Sequence, residues 1–293
     1  MSGEQIGIAG AGRIGQALGR LLRERGEPVA AVASRTLERA RAAAAFIGGG
    51  AEPVSYSQLP GCATRVLIAI PDQAIASVAA TLAGAGMAGG MALHTCGAHG
   101  AEILAPLAAR GVSCAALHPL QTVASPERGV AELPGASFAI EGEGPALDWA
   151  ARIAGLLQGQ MLRIPPGRRP LYHAAAVLAS NCVVGLLDAA VVLLGECGID
   201  REQALRALAP LARASVSNTA ALGPIQALTG PIERGDAGTV AVHLRSLAGV
   251  PGSVGELYRQ CGLYLAGLAR RKSPGADFRE LEQLLREGRK DHE

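Results

Sequence analysis

Ile6–Leu22 reads IGIAGAGRIGQALGRLL, an apolar run that turns through glycines into an amphipathic stretch. Gly10, Gly12 and Gly15 stand in the spacing GxGxxG. The first glycine permits a tight turn, the second lets the backbone approach a pyrophosphate, and the third allows a strand and a helix to pack closely. A helix opening directly after such a turn offers unpaired amide N–H groups to phosphate. The stretch therefore predicts strand, phosphate turn and helix, with Gly10, Ala11, Gly12, Arg13, Ile14 and Gly15 as cofactor-binding residues.

The second strand tells which dinucleotide fits. An NAD site usually has an acidic residue at its end to hold the ribose hydroxyls. Here Ala31–Thr36 reads AVASRT, and no carboxylate follows until Glu38. Arg35 can stack on adenine and pair with a 2′-phosphate, with Ser34 and Thr36 adding hydroxyls. Thr36 can also cap the next helix, and one loop can do both. The cofactor expected is NADP(H).

Outward from this motif, short apolar runs alternate with Ala/Leu/Arg-rich stretches as far as Ile164, the pattern of βαβ units and a parallel sheet. Strands are expected at Gln5–Gly10, Pro28–Ala33, Arg65–Ile70, Met91–Thr95, Val112–Leu117, Ser137–Glu141 and Met161–Ile164. Helices are expected from near Arg13, Thr36, Asp72 and Ala101, and over Pro145–Leu157. The segment PPGRRP, residues 165–170, reads as a stiff interdomain linker. Beyond it the pattern is helical: Leu171–Gly198, Arg201–Leu222, Asp236–Ala248, Pro251–Arg271 and Asp277–Gly288, with a polar tail at Arg289–Glu293. The fold class expected is α/β, a doubly wound, mostly parallel Rossmann sheet over residues 1–165. An all-helical domain for substrate binding and dimerisation follows over residues 166–293.

Three strand ends converge on the edge where open α/β sheets bind ligands. VLIAIPDQAI puts Ile70 and Pro71 beside a nicotinamide, with Asp72 as a helix N-cap. LHTCGAHG supplies Thr95 and Gly97 for the cofactor; His94 reads as a satisfied buried histidine, and Cys96 has no neighbour to lower its thiol pKa. AALHPLQTV places His118 just past a strand and before a proline, suited to proton transfer, with Gln121 as a substrate contact. In the long apolar helix, His173 and Ser180 are seven apart, as are Asn181 and Asp188, and each pair shares a face. This points His173 and Asn181 toward catalysis and Ser180 toward substrate, unless structural hydrogen bonds absorb the stripe. LGPIQALTGPIERGD is a non-periodic break in which Thr229 and Arg234 are candidate substrate contacts and Asp236 a cap.

Composition excludes several classes. Hydrophobic residues make up 49%, so disorder is excluded, and the net charge of +2 argues for neither a nucleic-acid nor a membrane-surface partner. Only Lys272 and Lys290 are lysines, so lysine chemistry has almost nothing to use. Six scattered cysteines form neither a disulfide frame nor a metal site; no metal is expected. Ala174–Leu194 is long enough to cross a bilayer, but Ser180, Asn181 and Asp188 favour the central helix of a helical domain. The location expected is cytoplasmic.

Taken in order, GAGRIG, SRT, IPD, TCGAHG, LHPLQT, YHAAAVLASN and TGPIERGD resemble a family of predicted NADP-dependent oxidoreductases with a Rossmann-like N-terminal domain and a helical C-terminal domain of unknown function. The resemblance spans nearly the whole chain. It implies kinship with the 6-phosphogluconate dehydrogenase-like superfamily, including ketopantoate reductase, pyrroline-5-carboxylate reductase and prephenate dehydrogenase, and a homodimer formed through the helical domain. His118–Leu120 is similar to the histidine–proline turn of prephenate dehydrogenases. The stretch ending at Asn181 is similar to a ketopantoate reductase helix, but Val177 stands where that family has its lysine. The proton donor must then be His118 or His173. The resemblance implies NADPH-dependent reduction of a small 2-oxo acid, ketopantoate-like, by hydride transfer in an interdomain cleft. The alternatives are a dehydrogenase or imine reductase on a prephenate- or pyrroline-carboxylate-like substrate, and a non-catalytic NADP(H) sensor.

Overall fold

The computed structural model describes residues 4–287; the tail expected at Arg289–Glu293 lies outside the described residues. The chain divides into two compact units, Met1–Ser180 and Asn181–Glu293.

The first unit runs β1 (Ile6–Ala9), α1 (Arg13–Glu24), β2 (Val29–Ala33), α2 (Leu37–Ile47), β3 (Glu52–Val54), β4 (Arg65–Ile68), α3 (Asp72–Gly84), β5 (Met91–His94), α4 (Ala105–Ala108), β6 (Ser113–Leu120), α5 (Pro126–Glu132), β7 (Ser137–Gly142), α6 (Gly144–Leu156), β8 (Gln160–Arg163) and α7 (Arg169–Ala179). One sheet takes the order β3-β2-β1-β4-β5-β6-β7-β8, and β6–β7 is its antiparallel pairing. The order reverses between β1 and β4, the switch point at which such sheets open a crevice at their carboxyl ends.

Both faces of the sheet are covered. On one, Ile6, Ile8 and Leu67 pack with Leu18, Leu21 and Leu22 of α1 and with Trp149 and Ile153 of α6. On the other, Val66 and Ile68 pack with Ile75, Val78 and Leu82 of α3. The alternation of side chains along each strand sends neighbours to opposite cores, so the central strands are largely apolar, with Arg65 and His94 at strand ends.

Two elements depart from the sequence pattern. β3 is the tripeptide Glu52–Val54, too short and too proline-bearing to announce itself as a strand. β6 does not end at Leu117: it continues through His118 and Pro119 to Leu120, because β7 supplies an antiparallel partner after β5 has stopped pairing at Ala116. Nor is PPGRRP a free tether. Arg169, within it, starts α7 and is 1% exposed, so α7 belongs with the sheet.

The second unit is helical: α8 (Asn181–Glu196), α9 (Arg201–Leu222), α10 (Pro224–Ala227), α11 (Ala237–Leu247), α12 (Val254–Lys272) and α13 (Arg279–Arg286). Its core gathers Ile232, Val240, Leu244, Ala266, Leu281 and Leu285. The long helix expected over Leu171–Gly198 is interrupted at Ser180, whose Oγ donates to the Ala176 carbonyl at 2.7 Å, a back-bond that bends helices. By length and composition alone, the run Arg169–Glu196 could cross a membrane.

Candidate active site

The fingerprint turn is built as its spacing predicts. Gly10 has φ +137°, and a Cβ there would stand 2.1 Å from the Ala69 carbonyl oxygen. A Cβ on Gly15 would stand 2.1 Å from the Gly10 carbonyl oxygen. Both are glycine because the chain itself is in the way. Gly12 differs: the nearest atom to an added Cβ is the Ala69 oxygen at 3.9 Å. Among the described residues nothing forbids a side chain at Gly12, so the glycine keeps open the space in front of the helix. Gly12 is the N-cap of α1 without a side-chain cap, and the first turn carries no acid, which leaves its amides available to an anion.

A pocket of about 400 Å³ opens there, bringing Gly12, Arg13 and Ile14 together with Ile70, Pro71, Thr95, His118 and Gln121. Ser34, Arg35 and Thr36 follow β2 at the same sheet edge, and Arg35 is exposed. Thr36 caps α2 by accepting the Arg39 amide at 3.4 Å. Tyr56, half-buried after β3, lies within electrostatic reach of Arg35, a neighbour the sequence did not suggest. Asp72 is not the cap of α3: Pro71 holds that position, and Asp72 is the first helical residue. Its carboxylate instead lies within electrostatic reach of the Cys96 thiol.

The histidines separate by environment. His94 is fully buried; its Nε2 is 2.9 Å from the Gly100 carbonyl and its Nδ1 accepts the Cys96 amide at 3.2 Å. It therefore carries its proton on Nε2 and staples the Thr95–Gly100 turn. Burial pushes it down to about 4. Cys96 is pushed up to about 11 by burial, an inert thiol.

His118, part-buried, sits in β6 with Nδ1 2.6 Å from the Tyr172 hydroxyl. Its ring stands edge-on to His173, centroids 6.3 Å apart. A Cβ on Gly97 would come within 2.7 Å of His173 Cδ2 and 3.0 Å of His118 Nε2, so both rings border the space that Gly97 leaves free. His118 is pushed down to about 4 by burial, with the charge of Arg169 and the nearby His173 acting the same way.

Behind the pair lies a buried anchor. Arg169 donates to Glu141 at 3.1 Å, to the Cys96 carbonyl at 3.3 Å and to the Ala139 carbonyl at 3.1 Å. Its guanidinium is 5.7 Å from the centre of the Tyr172 ring. Tyr172, Arg169 and Glu141 were not marked by the sequence; the Tyr172–His173 dipeptide beside a helix start was the available signal.

Asn181, Asp188, Thr229 and Arg234 belong to the second unit, so the polar stripe is split across two helices. Asp188 pairs with Arg201 at 2.9 Å. Thr229 and Arg234 are exposed, and Asp236 caps α11 by accepting the Thr239 amide at 2.9 Å. Lys272 is structural: its Nζ is 2.9 Å from the Leu228 carbonyl and 3.1 Å from Glu233, fastening the loop before α11.

His94 and His118 carry a pH prediction. Each has an ordinary pKa near 6.5 when unfolded and about 4 when folded, so the unfolded chain binds more protons between those values. Stability is expected to fall as pH drops from about 6.5 to about 4, by about 2–3 kcal/mol for each ring. Urea midpoints measured from pH 7.5 to 4.5 should decline through this window; a flat profile would show that the rings charge freely in the fold.

Comparison with known proteins supports the same architecture. Residues 2–119 match a Rossmann-like domain and residues 136–265 match DUF2520, a domain of unknown function. No curated protein matches the chain. Among solved structures, a provisionally named NADP oxidoreductase of Bacteroides fragilis is 24% identical with a TM-score of 0.75, covering 90% of this chain and 98% of its own. A reductive aminase of Aspergillus terreus, in complex with NADPH4, cyclohexanone and allyl amine, is 22% identical with a TM-score of 0.62, covering 97% and 99%. The pyrroline carboxylate reductase of Plasmodium falciparum, with NADP bound, is 13% identical with a TM-score of 0.59, covering 94% and 100%. The chain thus joins a Rossmann-like N-terminal domain to a C-terminal DUF2520 domain.

Proposed function

We propose that the protein is an NADPH-dependent oxidoreductase that reduces a small, ketopantoate-like 2-oxo acid. The observation that carries the cofactor is the open space at Gly12, in front of an uncapped and acid-free helix end. Residues Gly10–Gly15 would hold the pyrophosphate; Ser34, Arg35 and Thr36 the 2′-phosphate; and Ile70, Pro71, Thr95 and Gly97 the nicotinamide end. When bound, NADPH supplies the hydride. His118 then polarises the substrate oxygen and gives it a proton, with His173 beside it over Gly97. Gln121 and Ser180, which share a unit with His118 and His173, are assigned to the substrate. The second reading, reduction of a C=N group, is favoured by the fold shared with the reductive aminase and the pyrroline carboxylate reductase.

We also assign the helical second unit to homodimer formation. Leu205, Leu211, Val216 and Leu222 stand exposed along α9, apolar surface that a second copy would cover.

NADPH oxidation assayed with ketopantoate, other 2-oxo acids and cyclic imines tests the reaction. Turnover of a 2-oxo acid is expected; turnover of imines alone would move the protein to the second reading. Arg35→Ala should weaken NADPH by about 1–3 kcal/mol, the scale of a charge-assisted hydrogen bond. NADH affinity should fall by much less, as calorimetric titration with both nucleotides would show. Equal losses for the two would remove Arg35 from the 2′-phosphate.

A further inference from the structure

We propose that Tyr172 is a positioning residue: its hydroxyl donates to Nδ1 of His118, fixes the proton of that ring on Nε2, and refills the ring when Nε2 gives its proton to substrate. The tautomer half of this inference stands on the protein alone. The proton-transfer half rests on the reductase reading.

The two nitrogens of His118 face different partners. Nδ1 meets the Tyr172 hydroxyl at 2.6 Å, whereas Nε2 borders the space over Gly97. A neutral imidazole carries one proton, and the hydrogen bond at one nitrogen decides which. Burial pushes the Tyr172 hydroxyl up to about 12, so it holds its hydrogen at neutral pH and is available as the donor.

The surroundings also disfavour an imidazolium. The groups facing His118 are Arg169, Tyr172 and His173 from α7, Asp72 from the start of α3, and His94 from β5. Arg169 cannot swing away, because Glu141 and the Cys96 and Ala139 carbonyls hold its guanidinium in the interior. That same fixed cation lies 5.7 Å from the Tyr172 ring centre, where it favours a negative charge on the phenol oxygen.

A neutral relay follows. As the carbonyl carbon of the substrate accepts the hydride, the C=O π pair moves onto oxygen. That oxygen takes the Nε2 proton of His118, and the Tyr172 O–H proton passes to Nδ1. The ring stays neutral throughout, a tyrosinate is left beside Arg169, and water returns its proton. The oxidised nicotinamide carries the other change of charge. A relay of this kind serves an oxo group, which must gain a proton on reduction. An iminium already carries its proton and would not draw on the relay.

The test is multiple-bond ¹⁵N–¹H NMR of the histidine rings in the full chain without nucleotide, wild type and Tyr172→Phe, with His118→Gln to assign the signals. The wild type is expected to show Nε2 protonated and Nδ1 bare. Tyr172→Phe should raise the His118 pKa, because a donor bond to Nδ1 favours the neutral ring. Matched melting temperatures and NADPH affinities will show that the variant is folded. A wild-type ring protonated on Nδ1, or a His118 pKa unchanged in Tyr172→Phe, overturns the tautomer assignment whatever the enzyme reduces. In kinetics on an accepted 2-oxo acid, Tyr172→Phe should lower kcat ~10–100-fold with KM unchanged. Unchanged kcat overturns the relay and leaves the reductase reading standing. Absence of any accepted oxo or imine substrate removes that reading and leaves the tautomer result to stand alone.

Discussion

An Arg169→Met protein is expected to lose about 3–5 kcal/mol of stability, because removing one partner of a buried ion pair leaves the other uncompensated. Glu141 is 9% exposed and would be left without its counter-ion. The Cys96 and Ala139 carbonyls would lose their donor as well, each an additional cost for a buried acceptor. Methionine preserves most of the side-chain length, so packing loss is not the main effect. Urea unfolding at neutral pH checks the size of the change. Arg169→Met combined with Glu141→Gln should recover part of it, since the stranded charge is then gone. A single-variant loss under about 1 kcal/mol, the range of surface pairs, would show that Arg169 does not anchor α7 to the sheet.

The second large effect concerns turnover. His118→Ala is expected to lower kcat by ~10²–10⁴ on whichever 2-oxo acid is accepted, the range for loss of a positioned proton donor. NADPH affinity should be largely kept, because His118 is not among the proposed phosphate ligands Gly10–Gly15 and Ser34–Thr36. His173→Ala, bordering the same space over Gly97, should cost less, since its ring has no partner comparable to the 2.6 Å bond between His118 and Tyr172 among the described residues. Steady-state kinetics of both variants, with nucleotide affinity measured separately, decide between them. A silent His118→Ala with a damaged His173→Ala would exchange the two roles.

The parts of this molecule that were legible in its sequence are those whose cause is local. Gly10 and Gly15 are fixed by backbone atoms in the turn they form and in the adjoining strand end, so their spacing announces them. Thr36 and Asp236 are caps whose bonds close within three residues. His94 reads as a buried histidine and is one, satisfied by its own turn.

What could not be read is the result of long-range pairing. Leu117 looks like a strand end until β7 arrives antiparallel and extends β6 across His118. Arg169 sits between prolines in a stretch with the composition of a linker, and only the folded sheet brings Glu141 and two carbonyls to it. Tyr172 and His118 are 54 positions apart, and neither predicts the other. The interruption at Ser180 is local, yet a serine in an Ala/Val/Leu helix seldom announces a break.

The proposed function requires the carboxyl edge of this sheet to bind NADPH with its nicotinamide beside His118. A crystal structure of the protein grown with NADPH tests it most directly. The pyrophosphate should lie against the amides of Gly12, Arg13 and Ile14, the 2′-phosphate against Arg35, and the nicotinamide among Pro71, Thr95, Gly97 and His118. Clear density for the nucleotide at any other surface, or a nicotinamide placed away from His118, would contradict the account.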